Sequence, residues 1–239
     1  MGKKLAAVQS SYIPWKGYFD LLHSVDEFVL FDDVQYTRRD WRSRNRIKTR
    51  DGTAWLTVPV NTKGHYLSPI KCITVSEDDW AERHWKTLVA AYSRTPYFTR
   101  YEDAIRELYL EGRHTHLSTV NRRLIEGVCG LLGIATRISW SMDYEIVPGR
   151  NERLIALCRQ AGADVYVSGP TAREYIDLDL FRANGIAVEF FDYSGYPEYP
   201  QIHPPFEHHV TVLDLLFHTG DDAPRHMLTF GAVAASARS

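Results

Sequence analysis

The chain has 239 residues, of which 44% are hydrophobic and 24% charged, with 28 basic against 30 acidic side chains and a formal net charge of −2. That balance suits a globular protein able to bury a sizeable core. It excludes a global basic field for nonspecific nucleic-acid binding, so any polyanion contact has to be local.

Lys4 to Gln9 is a short apolar run with the pattern of a buried strand. Ser10 to Pro14 is a polar turn, and Pro14 suits a helix's first turn, where its missing N–H costs nothing. Tyr18, Leu21, Leu22 and Val25 recur at helical spacing within Gly17 to Val25. Glu27 to Val34 predicts a second strand, so the opening is a βαβ unit with a right-handed crossover. Arg50-Asp51-Gly52 lies between the strand-like runs Asn45 to Thr49 and Thr53 to Val60, a hairpin signal. Ile70 to Val75 predicts a further strand.

Helices are predicted over Asp78 to Tyr92, Tyr101 to Leu110 and His116 to Leu132, the last closed by Gly130 and Gly133. The α/β alternation then resumes. Ala135 to Trp140, Ala163 to Val167 and Ile186 to Phe191 read as strands. Asn151 to Gln160, Leu178 to Asn184 and Thr211 to His218 read as helices. Tyr193 to Phe206 is an aromatic, Pro-rich loop, either a lid or substrate platform or a packed structural loop. The expected fold class is α/β: a parallel or mostly parallel, doubly wound, Rossmann-like sheet with a β-hairpin and an inserted helical lobe at about 77–133. Residues 1–230 are expected to form a single domain and 231–239 a flexible tail.

Cys72, Cys129 and Cys158 are widely spaced and flanked by apolar residues. They read as buried thiols of a reducing compartment, with an acyl-accepting nucleophile as the alternative. No CxxC pair and no HxxxH or HExxH spacing supports a metal site. The apolar run after Lys3 and Lys4 is too short for a signal peptide, and no run approaches a membrane span. The expected location is the cytoplasm, without membrane insertion.

In a sheet of this kind ligands sit beyond the carboxyl ends of the strands. The first strand ends in Gln9, Ser10, Ser11 and Tyr12. The second ends in Asp32, Asp33 and Gln35, and a later one in Ser168, Gly169, Pro170 and Thr171. Asp32 and Asp33 point to opposite faces if the strand persists, so at most one faces a given cleft. Asp33 is a candidate general base, Mg²⁺ ligand or holder of a substrate amine or hydroxyl, with Asp32 as the alternative acid. A turn cap, or a pair with a nearby arginine, is the structural alternative. Arg38, Arg39, Arg42, Arg44 and Arg46 can fork onto phosphate or carboxylate, and a solvated face is the plain alternative. Trp41 among them suits stacking on a base or sugar.

Four blocks, in order over about residues 4–230, resemble the WbqC-like family. They are Gln9 to Leu21, with its core Tyr12-Ile13-Pro14-Trp15-Lys16-Gly17-Tyr18-Phe19; Asp32-Asp33-Val34-Gln35 with Trp41 and Arg44-Asn45-Arg46-Ile47-Lys48; Trp55-Leu56-Thr57-Val58-Pro59-Val60; and Tyr166-Val167-Ser168-Gly169 with Leu213-Asp214-Leu215-Leu216-Phe217. Ser10 departs from the proline of the family's opening pattern. The resemblance implies a place in O-antigen or other surface-polysaccharide biosynthesis and a glycine transferase activity, but supplies no catalytic residues.

The function expected from residues and resemblance together is an acyl or aminoacyl (glycyl) transferase acting on a sugar or related metabolite. Its partners would be a small-molecule or nucleotide-sugar substrate and an aminoacyl-tRNA or acyl-carrier-protein donor. The cofactor stays open between Mg²⁺ with a nucleotide and an activated acyl donor. Asp33 or Asp32 would act as base, with Gln35 and Asn45 orienting the reacting carbonyl. Gln9, Tyr12, Trp15, Trp41, Arg44, Arg46, Ser168 and Gly169 would bind substrate. One alternative is an ATP-dependent ligase or nucleotidyltransferase of HUP-like type. In that class a His-x-Gly-His motif follows the first strand, where this chain has Trp15 and Tyr18. The other alternative is a non-catalytic sugar- or carrier-binding module.

Overall fold

The computed structural model describes residues 2–65, 67–112 and 115–230. Its strands in chain order are β1 (Lys4–Val8), β2 (Glu27–Leu30), β3 (Arg44–Thr49), β4 (Gly52–Thr57), β5 (Arg137–Trp140), β6 (Val165–Ser168) and β7 (Ala187–Phe190). The helices are α1 (Lys16–His23), α2 (Trp80–Tyr92), α3 (Phe98–Leu110), α4 (Leu117–Leu132), α5 (Arg150–Ala161), α6 (Leu178–Ala183) and α7 (Val212–Thr219).

Five strands form one sheet in the order β5-β2-β1-β6-β7, every pair parallel. The chain starts in the middle, winds outward through β2 and β5, then returns to the other side of β1 with β6 and β7. Connections therefore leave β1 and β6 in opposite directions, and a crevice opens beyond their carboxyl ends. Alternation along the strands divides the core. Ala6, Phe28, Leu30 and Val167 pack with α1, α4 and α7. Leu5, Val29 and Tyr166 pack with α5 and α6 on the opposite face. Burial on both faces is why these strands are continuous apolar runs. β3 and β4 form a separate antiparallel ribbon, with Arg44 opposite Thr57 and Thr49 opposite Gly52. Gly52 at φ 118° makes the turn.

Three local expectations are corrected. The second strand stops at Leu30 rather than Val34, because the Asp32 N–H turns back to the Leu30 carbonyl at 3.0 Å. Ile70 to Val75 is not a strand: Ile70–Cys72 is a single 3₁₀ turn. Its Ile70 and Lys71 N–H groups donate to the Val34 and Asp32 carbonyls at 3.0 and 2.8 Å. Ile70 and Ile73, three residues apart, are thereby both fully buried. Pro14 lies outside α1, one residue before its N-cap Trp15.

The Tyr193 to Phe206 loop is pinned from below by buried side chains. Lys16 Nζ donates to the Pro197 carbonyl at 2.9 Å, and Lys48 Nζ to the Pro205 carbonyl at 2.6 Å. Tyr199 Oη and Gln201 Nε2 both donate to Asp214 Oδ1 at 2.8 Å. The Ile202 N–H donates to His218 Nε2 at 3.1 Å. So many buried anchors make it a packed structural loop rather than a lid. Burial of Lys16 pulls its ammonium down to about 8, against the opposing pull of Asp20, Asp214 and Glu198.

Cys129 and Cys158 are buried, and burial pushes both thiols up to about 12. Cys72 is exposed, contrary to the expectation for all three. Among the described residues no helix is long and apolar enough to cross a membrane. The expected tail at 231–239 lies outside the described residues.

Candidate functional site

The crevice beyond β1 and β6 is a cleft of about 1020 Å³. The end of β1 contributes Val8 and Gln9, and the end of β6 contributes Ser168 to Thr171. Arg150 and Arg153 enter from the first turn of α5, Tyr193 from the loop after β7, and Trp15, Trp41 and Arg42 from the opposite wall. Three guanidiniums thus share one space with the rings of Trp15, Trp41 and Tyr193, and Phe31, Tyr166 and Tyr175 also line it.

Two of the cations are anchored by polar partners, and exposed Arg150 lies over the Tyr175 ring at 4.9 Å. Arg42 Nη1 donates to Gln9 Oε1 at 2.8 Å. Arg153 is ion-paired to Asp33 Oδ2 and lies over the Phe31 ring at 4.7 Å. Ser141 Oγ donates to the other oxygen, Asp33 Oδ1, at 2.5 Å. The Asp33 side chain is only 2% exposed and does not line the cleft. It positions Arg153, whose guanidinium burial pulls down from its usual range. Arginine stays charged under such a shift, so the cleft keeps a cation there. A carboxylate already accepting from a guanidinium and a hydroxyl is a poor general base.

Trp15 is the aromatic wall. Its ring meets Tyr193 at 5.6 Å, Tyr196 at 5.4 Å and His209 at 5.6 Å. Gly17 permits this placement, because a Cβ there would lie 2.3 Å from the Trp15 ring. Replacing Gly17 with alanine is expected to displace the indole and weaken ligand binding roughly tenfold. Intrinsic fluorescence and ligand titration check this, and unchanged affinity with an unchanged emission spectrum would refute it.

A smaller hollow of about 260 Å³ adjoins the cleft through Trp15, Trp41 and Arg42, and His209 and Asn45 also line it. His209 Nδ1 lies 3.3 Å from Glu207 Oε1, and Glu207 Oε2 lies 3.9 Å from Arg46 Nη1. Burial pushes the Glu207 carboxyl up, but the His209 N–H, Arg46 and the His209 ring outweigh it, so its pKa is lowered. An imidazole beside a carboxylate at the rim of a cleft can act as a proton acceptor, and here the His209 backbone N–H also donates to Glu207 Oε1 at 2.8 Å.

The structure thus brings Gln9, Trp15, Trp41, Ser168 and Gly169 to one cleft and directs other predicted residues elsewhere. Tyr12 is fully buried, its Oη 2.7 Å from both His84 Nδ1 and Tyr109 Oη. It packs into the helical block instead of touching a ligand. Asp32 is also fully buried, accepting from the Ser10 N–H at 2.8 Å and from Ser118 Oγ. Burial raises its carboxyl above the usual range, partly offset by Ser118, Ser10 and Arg42. It ties the ends of β1 and β2 to α4. Asn45 spends its amide on the Tyr12 and Ile13 carbonyls at 3.1 and 2.7 Å, and its Oδ1 accepts from the Arg46 N–H. It thereby holds Ile13 at φ 34°, unusual for a β-branched residue. No amide group is left to orient a carbonyl. Gln35 is exposed and bridges to Pro69, away from the cleft lining. Arg44 and Arg46 stand on the hairpin. Arg44 lies over Trp55 at 4.1 Å, and Arg46 lies 5.8 Å from both Trp41 and Trp55.

Arg150, Arg153 and Ser141 were not singled out from the sequence, and Trp55 entered only within a family block. Arg150 and Arg153 did carry a signal. Cations in a helix's first turn oppose the macrodipole, so two arginines there suggest a role outside the helix. Among the described residues no group of His, Cys, Asp and Glu is arranged to hold a metal ion.

The WbqC-like protein family model matches residues 9–226. The chain is 50% identical over 225 residues to "Uncharacterized protein Rv1507c" of Mycobacterium tuberculosis (strain ATCC 25618 / H37Rv), covering 94% of this chain and 97% of that protein. No solved structure shows a significant match. With the matched residues running from the end of β1 past α7, the chain belongs to the WbqC-like protein family.

Proposed function

We propose that this protein is a transferase that moves a small acyl or aminoacyl group, such as glycyl, onto a phosphate-bearing sugar or related metabolite, working in the cytoplasm. The observation that carries the reading is the convergence of Arg42, Arg150 and Arg153 with Trp15, Trp41 and Tyr193 around one cleft at the switch point. Guanidiniums grip phosphate by paired N–H forks, and indoles stack on a base or sugar ring. A nucleotide sugar offers both groups together. In the reaction the acceptor nitrogen or oxygen attacks the acyl carbon. A C–N or C–O bond forms, and the bond to the donor's ester or thioester oxygen or sulfur breaks. His209, oriented by Glu207, takes the acceptor's proton and returns it to the leaving group. Asp33 serves by fixing Arg153.

Nucleotide sugars are expected to raise the unfolding temperature of the full chain, and acylated product is expected by mass spectrometry once aminoacyl-tRNA or acyl-carrier donors are added. Silence across a broad panel of both would refute transfer. His209→Ala separates an enzyme from a binding module: an enzyme loses turnover about 100-fold or more while still binding, whereas a binder changes only modestly in affinity, through the lost ring contact to Trp15.

A second reading has one observation in its favour. The order β5-β2-β1-β6-β7 reproduces the first five strands of the dinucleotide-binding arrangement 3-2-1-4-5-6. That supports an ATP-dependent ligase or nucleotidyltransferase of HUP-like type using the same cleft. Stabilisation that requires ATP and Mg²⁺ together would favour it over the first reading.

A further inference from the structure

The outer face of the β3–β4 hairpin is built differently from the rest of the surface. Arg46 and Trp55 face each other across the ribbon. Trp55 meets Trp41 at 5.4 Å, with Arg44 over its ring at 4.1 Å. Arg46 lies 5.8 Å from both indoles. Both rings remain open to solvent, Trp41 at 39% and Trp55 at 46% exposure. Exposed Arg38, Arg39 and Arg50 flank them, and Asp40 is the sole acid from 38 to 50, against six arginines. Arg44 Nε and Arg46 Nε are buried without a hydrogen-bond partner.

Two indoles this exposed gain little for the fold. Stacked guanidiniums hold them as a rigid platform instead. A local cationic strip on a chain of net charge −2 suits a polyanion. The aromatic interleaving distinguishes which one. An acidic protein surface has no use for two open indole faces, whereas a single-stranded nucleic acid presents phosphates and stackable bases in alternation. Trp41 belongs to both surfaces, lining the cleft as well as the platform.

We infer that the hairpin face docks a single-stranded RNA end and leads its terminal nucleotide past Trp41 into the cleft, as the acceptor end of an aminoacyl-tRNA donor would require. This rests on the transferase reading for its purpose, although the platform itself is tested independently. Fluorescence anisotropy of the full chain with a short single-stranded RNA reads the binding, and nucleoside diphosphate titration reads the cleft. Affinity for RNA is expected to fall as salt rises. Trp55→Ala is expected to weaken RNA binding roughly five- to a hundredfold, with Trp55→Phe restoring most of it. Nucleoside diphosphate binding is expected to change much less than RNA binding in Trp55→Ala, because Trp55 does not line the cleft and reaches it only through its contact with Trp41. RNA affinity indifferent to Trp55, or displacement of RNA by polyglutamate as effective as by a second RNA, would overturn the proposal in favour of a generic acidic partner. Trp55-dependent RNA binding without nucleoside diphosphate binding would uphold the platform and count against the cleft reading.

Discussion

Replacing Asp33 with alanine is expected to lower the unfolding free energy by roughly 3–5 kcal/mol, the usual cost of removing one partner from a buried ion pair. The Asp33 side chain is 2% exposed and that of Arg153 19%. Without the carboxylate the guanidinium stays largely desolvated against Phe31, and Ser141 loses its acceptor. Asp33→Asn is expected to cost less, because an amide oxygen still accepts from Ser141. In the double variant Asp33→Ala with Arg153→Met, much of the loss is expected to return, since no charge is then left unpaired. Denaturant unfolding of the wild type, Asp33→Ala, Arg153→Met and the double variant gives the coupling directly. A single-variant loss below about 1 kcal/mol would mean that the pair is loosely held and solvated. Ligand binding separates the two residues. Arg153→Met should abolish anion binding while retaining most stability if Asp33 is also removed, which marks Arg153 as the contact and Asp33 as its support.

Lowering the pH from about 7 to 4 is expected to remove about 3 kcal/mol of stability through His84 alone. His84 is buried in α2, and burial pulls its pKa from 6.5 to about 4, opposed in part by its bond to the Thr57 backbone. Its Nδ1 pairs with Tyr12 Oη, beside Tyr109 and Trp80. The unfolded chain binds a proton near pH 6.5, whereas the folded chain resists until about 4. Its contribution is therefore fully present above the unfolded pKa and is lost progressively as pH falls toward the folded one. Asp32 works the other way. Its raised folded pKa lets the native state take a proton first, which offsets part of the acid loss. Comparison with His84→Gln isolates the histidine: the variant should be less stable at pH 7 but show a flatter pH dependence. An equal slope in both proteins would rule His84 out as the source.

Much of the secondary structure was legible because it is written in local periods. Leu117, Val120, Leu124 and Val128 recur at helical spacing, and α4 buries all of them, whereas Leu131, expected on the same face, is only half-buried and Leu132 takes the inward place. The Asp-Gly hairpin turn follows from the conformational freedom of Gly52. Ile70 to Val75 departs from its local pattern, because the Ile70 and Lys71 N–H groups donate to the Val34 and Asp32 carbonyls while the Cys72 and Ile73 N–H groups close a 3₁₀ turn. The site was legible in part. Polar residues after apolar strands marked Gln9, Ser168 and Gly169. Composition alone did not separate Asp33 from Asp32 or Arg42 from Arg44, because density of charge says nothing about direction. Asn45 sits in the most polar stretch of the chain, yet its side chain turns inward to brace the Tyr12–Ile13 turn.

By itself, then, the sequence determined most of the elements, their α/β alternation, the family and the polar strand ends. Those properties depend on neighbours within a turn or two. The tertiary structure decided the strand order that opens the crevice between β1 and β6, and which side chains reach it. Asp33 meets Arg153 from a helix 120 residues later, and Trp15 is framed by Tyr193, Tyr196 and His209 from the far end of the chain. Contacts at that separation follow from the packing of two cores on opposite faces of one sheet, which no local period encodes.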